Sequence, residues 1–107
     1  MDKFGERRKG FEAEFVRNQE LAFRIAVRRN RLFGLWAAGR LGLPDGQAAD
    51  AYAKAVAAAD FEAPGDGDII AKVLADFAEK NIAMTEPELR AELSRLGQEA
   101  RRQLAPS

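Results

Sequence analysis

The chain contains neither cysteine nor histidine. The first absence removes disulfides and thiolate nucleophiles, and the two together remove Cys/His zinc sites and the imidazole general base. Hydroxyl groups are almost as scarce: Ser94, Ser107, Thr85 and Tyr52 are all there are. An enzyme built from this chain would have to work with carboxylates and basic side chains alone. There is no surplus of charge either, since 17 basic residues balance 17 acidic ones. Net charge therefore does not point to a polyanionic partner. Long apolar runs are also missing. The longest, Leu32 to Ala38 with Gly34 inside it, falls well short of the roughly 20 residues that span a bilayer. The N-terminal Met-Asp-Lys-Phe-Gly-Glu-Arg-Arg-Lys-Gly lacks the apolar stretch of a signal peptide, so a soluble, cytoplasmic protein is expected.

What the chain has in quantity is alanine, 21 residues of 107, with few β-branched residues. That bias favours helix, and the length suits one domain with one core. Four helical segments follow from the spacing of apolar residues. The first runs from about Arg17 to Leu41, with Leu21, Ile25, Leu32, Leu35 and Gly39 on one stripe and Ala22, Ala26, Phe33 and Trp36 beside it. Gly42 and Pro44 stop it. Asp45 is the expected N-cap of a second helix reaching about Asp60, with Ala48, Tyr52, Val56 and Ala59 as its face, Ala55 alongside and an outer Asp50–Lys54 ion pair.

The segment Ala63-Pro64-Gly65-Asp66-Gly67-Asp68 reads as a loop. Asp66 or Asp68 should cap a third helix carrying Ile69, Ile70, Val73, Leu74 and Phe77 and ending near Asn81. Thr85 and Glu88, with Pro87 between them, form a capping box for a fourth helix bearing Leu89, Leu93, Leu96, Ala100 and Leu104. The expected fold is all-α: a four-helix bundle over residues 17–107 preceded by an arm, residues 1–16.

The zero net charge is unevenly made. Residues 1–31 carry a balance of +4, residues 32–88 of −6 and residues 89–107 of +2. Arg28-Arg29-Asn30-Arg31 is most simply a solvated helix edge, and otherwise a protein-docking surface. A small nucleotide- or nucleic-acid-binding bundle using Arg28, Arg29 and Arg31 is the alternative reading, but aromatics arranged for base stacking are missing there. Asp66 and Asp68 do not make a calcium loop, because the position eleven beyond Asp66 is Phe77 rather than glutamate. No metal or cofactor is implied. Gly34, within the first helix, suggests close approach of a neighbour, and Trp36 belongs to the core.

The arm is patterned differently. Phe4, Phe11 and Phe15 stand seven and four apart, so a helix would place them on one face. Gly5 and Gly10 oppose that helix by about 1 kcal/mol each relative to alanine. The segment is a conditional helix, ordered when a partner buries its phenylalanines or when it extends the first helix.

The run from Arg28 to Ala38, Arg-Arg-Asn-Arg-Leu-Phe-Gly-Leu-Trp-Ala-Ala, followed by Leu41-Gly42-Leu43, resembles the signature of the alphaproteobacterial ATPase inhibitor subunit zeta family. Ala51-Tyr52-Ala53-Lys54, the stretch Val56 to Glu62, and Asp66 to Phe77 are similar to its second and third helices. The resemblance implies a four-helix bundle with a flexible arm, and a protein that is not an enzyme. It further implies that the arm inserts between the alpha and beta subunits of the F1 part of ATP synthase, at a catalytic interface beside the central stalk (the gamma subunit). There it becomes helical and blocks ATP hydrolysis.

By the resemblance, Phe4, Glu6, Arg7, Lys9, Phe11, Glu12, Ala13 and Phe15 carry the arm's pattern. Phe4, Phe11 and Phe15 would fill apolar grooves while Arg7 and Lys9 pair with acidic groups. The resemblance does not select the bundle face that docks. The basic edge at Arg28, Arg29 and Arg31 is the first candidate from the residues themselves, and the free chain is expected to be monomeric. Through ATP synthase the protein would lie at the periphery of the inner membrane. Gly5 and Gly10 depart from the family pattern, which tends to an acidic residue and alanine there.

Overall fold

Four α-helices make up the computed structural model, which describes residues 3–59 and 65–105, with side chains from residue 17 onward. They are α1 (Lys3–Arg40), α2 (Gln47–Ala59), α3 (Gly67–Glu79) and α4 (Glu86–Leu104). α1 packs against both α2 and α4, and α3 closes the far side against the same two. The molecule is elongated, 67 × 27 × 20 Å, because α1 is far longer than its neighbours. At 1.5 Å per residue its 38 residues reach about 57 Å.

The helix stops fall where the sequence places them. Gly42 takes φ +80° after α1, and its N–H and that of Leu43 bond the carbonyls of Gly39 and Ala38 at 3.1 and 3.0 Å. Asn81 does the same after α3 with φ 58°; its N–H reaches the Ala78 carbonyl, and that of Ile82 reaches Phe77 at 2.9 Å. Each is a Schellman ending, which satisfies orphan carbonyls. The Thr85 hydroxyl accepts from the Glu88 N–H at 3.3 Å, as a capping box requires. The Glu88 carboxylate, however, receives the Thr85 hydroxyl at 3.1 Å.

The start of α2 differs from expectation. Gly46, at φ +99°, precedes the first helical residue and its carbonyl accepts the Asp50 N–H at 2.8 Å, so Asp45 is one position too early to cap. The expected end at Asp60 and the residues Ala63 and Pro64 lie outside the described residues. Asp66 is the N-cap residue of α3 but makes no side-chain capping bond.

The core joins Phe33, Ala37, Val56, Ile69, Ile70, Val73, Phe77, Leu89, Leu93 and Leu96. The faces expected of α3 and α4 are the buried ones, with Leu74 and Leu104 half-buried at their edges. On α1 the buried side is not the expected stripe. Leu21 and Gly39 are exposed, and Ile25, Leu32 and Leu35 are only partly covered. Phe33, expected beside that stripe, is buried, and Asn30, Gly34, Ala37 and Ala38 join it in the interior. Apolar residues cover α1 on nearly every side between positions 32 and 38, so hydrophobicity alone did not choose the face.

Contact with α2 made the choice. Gly34 lies so close to Ala53 that a Cβ at position 34 would stand 2.6 Å from the Ala53 Cα. α2 correspondingly buries Ala49, Ala53 and Val56, a face turned one residue from the expected Ala48–Tyr52–Val56–Ala59 set, while Ala55 is exposed. Trp36 sits at the core's edge, stacked on Phe33 with centroids 5.7 Å apart and covered by the Arg40 guanidinium.

Tyr52 ties α2 to α3. Its hydroxyl donates to Asp76 at 2.7 Å, and Lys72 bonds the same carboxylate while lying over the tyrosine ring. Burial, then the hydrogen bond to Asp76, then that residue's charge push the phenol well above its ordinary range. A folded-state pKa raised in this way stabilises the fold fully below the unfolded value near 10 and loses that contribution as pH rises above it. Tyr52 is the only tyrosine, so absorbance at 295 nm reads it alone. Its ionisation is expected to come at higher pH in the native chain than in urea; coincident titrations would refute the link to Asp76.

Candidate functional site

α1 carries every residue that the sequence singled out as a binding group. Its backbone is helical without a break from Lys3, through Gly5 and Gly10, to Arg40. The side chains of Phe4, Glu6, Arg7, Lys9, Phe11, Glu12, Ala13 and Phe15 lie outside those described. Their register follows from the backbone. Eighteen residues make five helical turns, so positions 4, 11 and 15 share the register of 22, 29 and 33.

The helix leaves the bundle before it reaches the arm. Every residue from Arg17 to Arg24 is exposed, and the first partly covered side chains are Ile25 and Ala26. Three large apolar side chains stand in the open: Leu21 at 37% exposure, Phe23 at 65% and Val27 at 51%. Sequence reasoning passed over Phe23 and Val27, although a signal was there. They are four apart, hence on one face, and neither belongs to either apolar set assigned to α1.

The four-residue basic run does not form one edge. Successive residues on a helix are about 100° apart, so Arg29 faces other surroundings than Arg28 and Arg31, which stand three apart on one side. Arg29 turns inward. Its guanidinium donates to Asp66 at 2.9 and 3.4 Å and to the side-chain amide oxygen of Asn30 at 2.9 and 3.1 Å. Its aliphatic stem lies against α4 where Gly97 leaves room, since a Cβ there would sit 3.3 Å from the Arg29 Cδ. Arg29 thus links α1, α3 and α4. Asp66 gives its carboxylate to this bridge rather than to the end of α3.

Arg28 and Arg31 stay on the surface. Arg28 donates to the neutral Gln103 at 3.0 Å, and Arg31 reaches Asp50 at 3.4 Å with both side chains about half exposed. The expected Asp50–Lys54 pair is replaced by this bridge across helices, because packing of α1 on α2 brings an arginine to Asp50. Arg24 makes no hydrogen bond or ion pair with a described residue. A groove of about 330 Å³ between α1 and the end of α4 is lined by Arg24, Val27, Arg28, Arg31 and Leu104.

Elsewhere the charged groups serve the helices. Arg90 pairs with Glu86, Arg95 with Glu92 and Arg102 with Glu99 along the outside of α4. Among the described residues no three Asp or Glu side chains converge as a metal-ligand set. The arrangement along α1 is suited to docking against another macromolecule: an exposed helix with apolar side chains beside unneutralised cations.

The family model described as ATPase inhibitor subunit zeta matches residues 1–103, which takes in the arm and nearly all of the bundle. No match is found among curated proteins.

Proposed function

The chain belongs to the ATPase inhibitor subunit zeta family, and from that premise we propose that it inhibits the F1 part of ATP synthase by inserting its arm, residues 1–16, at a catalytic alpha/beta interface beside the gamma subunit. An inserted helix there obstructs rotation in the hydrolysis direction, so ATP is preserved when the proton gradient fails. The bundle, residues 17–107, remains outside and holds the arm in place. On this reading the protein is a regulatory subunit rather than an enzyme, and it reaches the membrane only through ATP synthase. None of the described helices is long and apolar enough to cross one.

The observation that carries the proposal is the family match over the arm as well as the bundle, on a helix whose residues 17–24 are exposed outside the bundle. Phe4, Phe11 and Phe15 are assigned to apolar grooves of the interface. Full burial of a phenylalanine is worth about 1.5–3 kcal/mol, against which ordering a segment costs about 2–5 kcal/mol in total. The arm is a conditional helix, so part of that cost falls on the binding step, and residues that favour helix lower it. Arg7 and Lys9 are assigned to acidic groups, with Glu6, Glu12 and Ala13 completing the helix.

The test is ATP hydrolysis by F1 from the same organism. The whole protein is expected to inhibit, and a version lacking residues 1–16 is expected to lose nearly all inhibition. No inhibition by the whole protein, or full inhibition by the shortened one, removes the mechanism. Two substitutions examine the helix itself. Gly10→Ala is expected to strengthen inhibition about five-fold by removing a helix penalty of about 1 kcal/mol. Phe11→Ala is expected to weaken it ten-fold or more. Equal effects from the two would show that the arm does not bind as a helix.

A further inference from the structure

We propose that α1 carries a second docking surface beyond the arm, formed by Phe23 and Val27 together with the arginine row Arg24, Arg28 and Arg31, and that its occupant is an acidic, partly apolar protein surface at the rim of the inhibited ATPase. The proposal rests on the arm mechanism for the identity of its partner.

Three observations converge on this face. Phe23 and Val27 are the two most exposed large apolar side chains among the described residues, and they stand one turn apart. Arg24, Arg28 and Arg31 follow at spacings of four and three, which makes a single row beside them, and four of these five residues wall the groove closed by Leu104. Their charge is largely unanswered. Arg24 has no partner among the described residues, Arg28 has a neutral amide, and Arg31 has one exposed carboxylate at 3.4 Å. Over residues 17–31 the only acidic side chain is Glu20.

The composition identifies the chemistry of the partner. Arginine and aromatic side chains are the groups enriched where protein interfaces gain most of their affinity, with the apolar groups at the centre and charge around them. A row of cations selects a negative surface and speeds encounter with it. The apolar half of the face, and a chain with no net charge, favour an acidic protein over a nucleic acid.

Position identifies where that protein surface lies. The face sits on the same unbroken helix as the arm, with Phe23 about 10 Å beyond residue 16 along the axis. An arm inserted as far as residue 16 brings Phe23 and Arg24 to the mouth of the cleft. Arg29, bound into the bundle, takes no part.

The experiment uses the full chain with three sets of changes: Phe23→Ser with Val27→Ser, Arg24→Gln with Arg28→Gln and Arg31→Gln, and Phe11→Ala in the arm. F1 from the same organism is the partner. Inhibitory concentration, association rate across a salt series, and thermal melting are measured for each. The apolar pair is expected to raise the inhibitory concentration at least ten-fold with unchanged melting. The arginine set is expected to slow association about ten-fold at low salt and to flatten its salt dependence.

If both sets match the parent while Phe11→Ala weakens inhibition, the second surface is refuted and the arm mechanism stands. If Phe11→Ala has no effect while both sets weaken binding to F1, the surface stands and the arm mechanism falls. Tight binding of the parent to a single-stranded oligonucleotide at physiological salt, lost in the arginine set with inhibition of F1 unchanged, also overturns the proposal.

Discussion

Gly34→Val is expected to lower the stability of the bundle by about 3 kcal/mol, at the upper end of the usual cost of overpacking. The reason is backbone against backbone. A Cβ at position 34 would meet the Ala53 Cα at 2.6 Å and the Ala53 Cβ at 3.0 Å. Neither atom belongs to a side chain that can swing aside, so α1 and α2 must separate. Gly34→Ala makes the same Cβ contact and is milder only because it adds no γ-carbons and recovers about 1 kcal/mol by removing glycine within a helix. Position 97 supplies the contrast. A Cβ there meets only the flexible stem of Arg29, at 3.3 Å, so Gly97→Ala is expected to be neutral or slightly stabilising. Urea unfolding followed by circular dichroism measures all three. Equal midpoints for Gly34→Val and the parent would mean that the α1–α2 crossing is looser than described.

Phe33→Ala is expected to cost about 3–5 kcal/mol, the range for removing a fully buried aromatic ring. Phe33 has no exposed surface, lies in the main cluster and stacks on Trp36. Domains of this size hold only about 5–15 kcal/mol in all, so the variant should be partly unfolded at 37 °C. Trp36 is the only tryptophan, and its emission reports the loss directly. A shifted spectrum with an unchanged urea midpoint would show that the ring is a lining of Trp36 and not a support of the core.

How much of this was written in the sequence depends on how different the neighbouring residues are. On α3 and α4 large aliphatic side chains alternate with charged ones, and Ile69, Ile70, Val73, Phe77, Leu89, Leu93 and Leu96 are buried as their spacing requires. Gly42 and Asn81 were readable as stops because a left-handed conformation admits few other residues. α2 resisted because its candidates for burial are nearly all alanine, whose faces differ little in free energy. α1 resisted for the opposite reason, an excess of large apolar residues on all sides.

The site followed the same logic. The arginine run was visible, but its division into an inward Arg29 and outward Arg28 and Arg31 depended on where α3 and α4 would pack. The Arg29–Asp66 bridge spans 37 positions, a distance at which local pattern has nothing to say. The roles given to Phe4, Phe11 and Phe15 came from helical spacing and family resemblance together.

Whenever the arm is helical it continues α1, and the arm and the bundle then form a single torsion shaft. In that state α1 runs from Lys3 to Arg40, and the direction in which the first residues face is set by the way α2 and α4 grip Phe33 and Ala37. One residue inserted between positions 17 and 24 would advance the arm only about 1.5 Å but turn it by about 100° relative to the bundle. Seven inserted residues would push it forward about 10 Å and return it to within about 20° of its starting azimuth. Reach and orientation are therefore quantised together, and evolution can lengthen such an inhibitor in whole pairs of turns more readily than residue by residue.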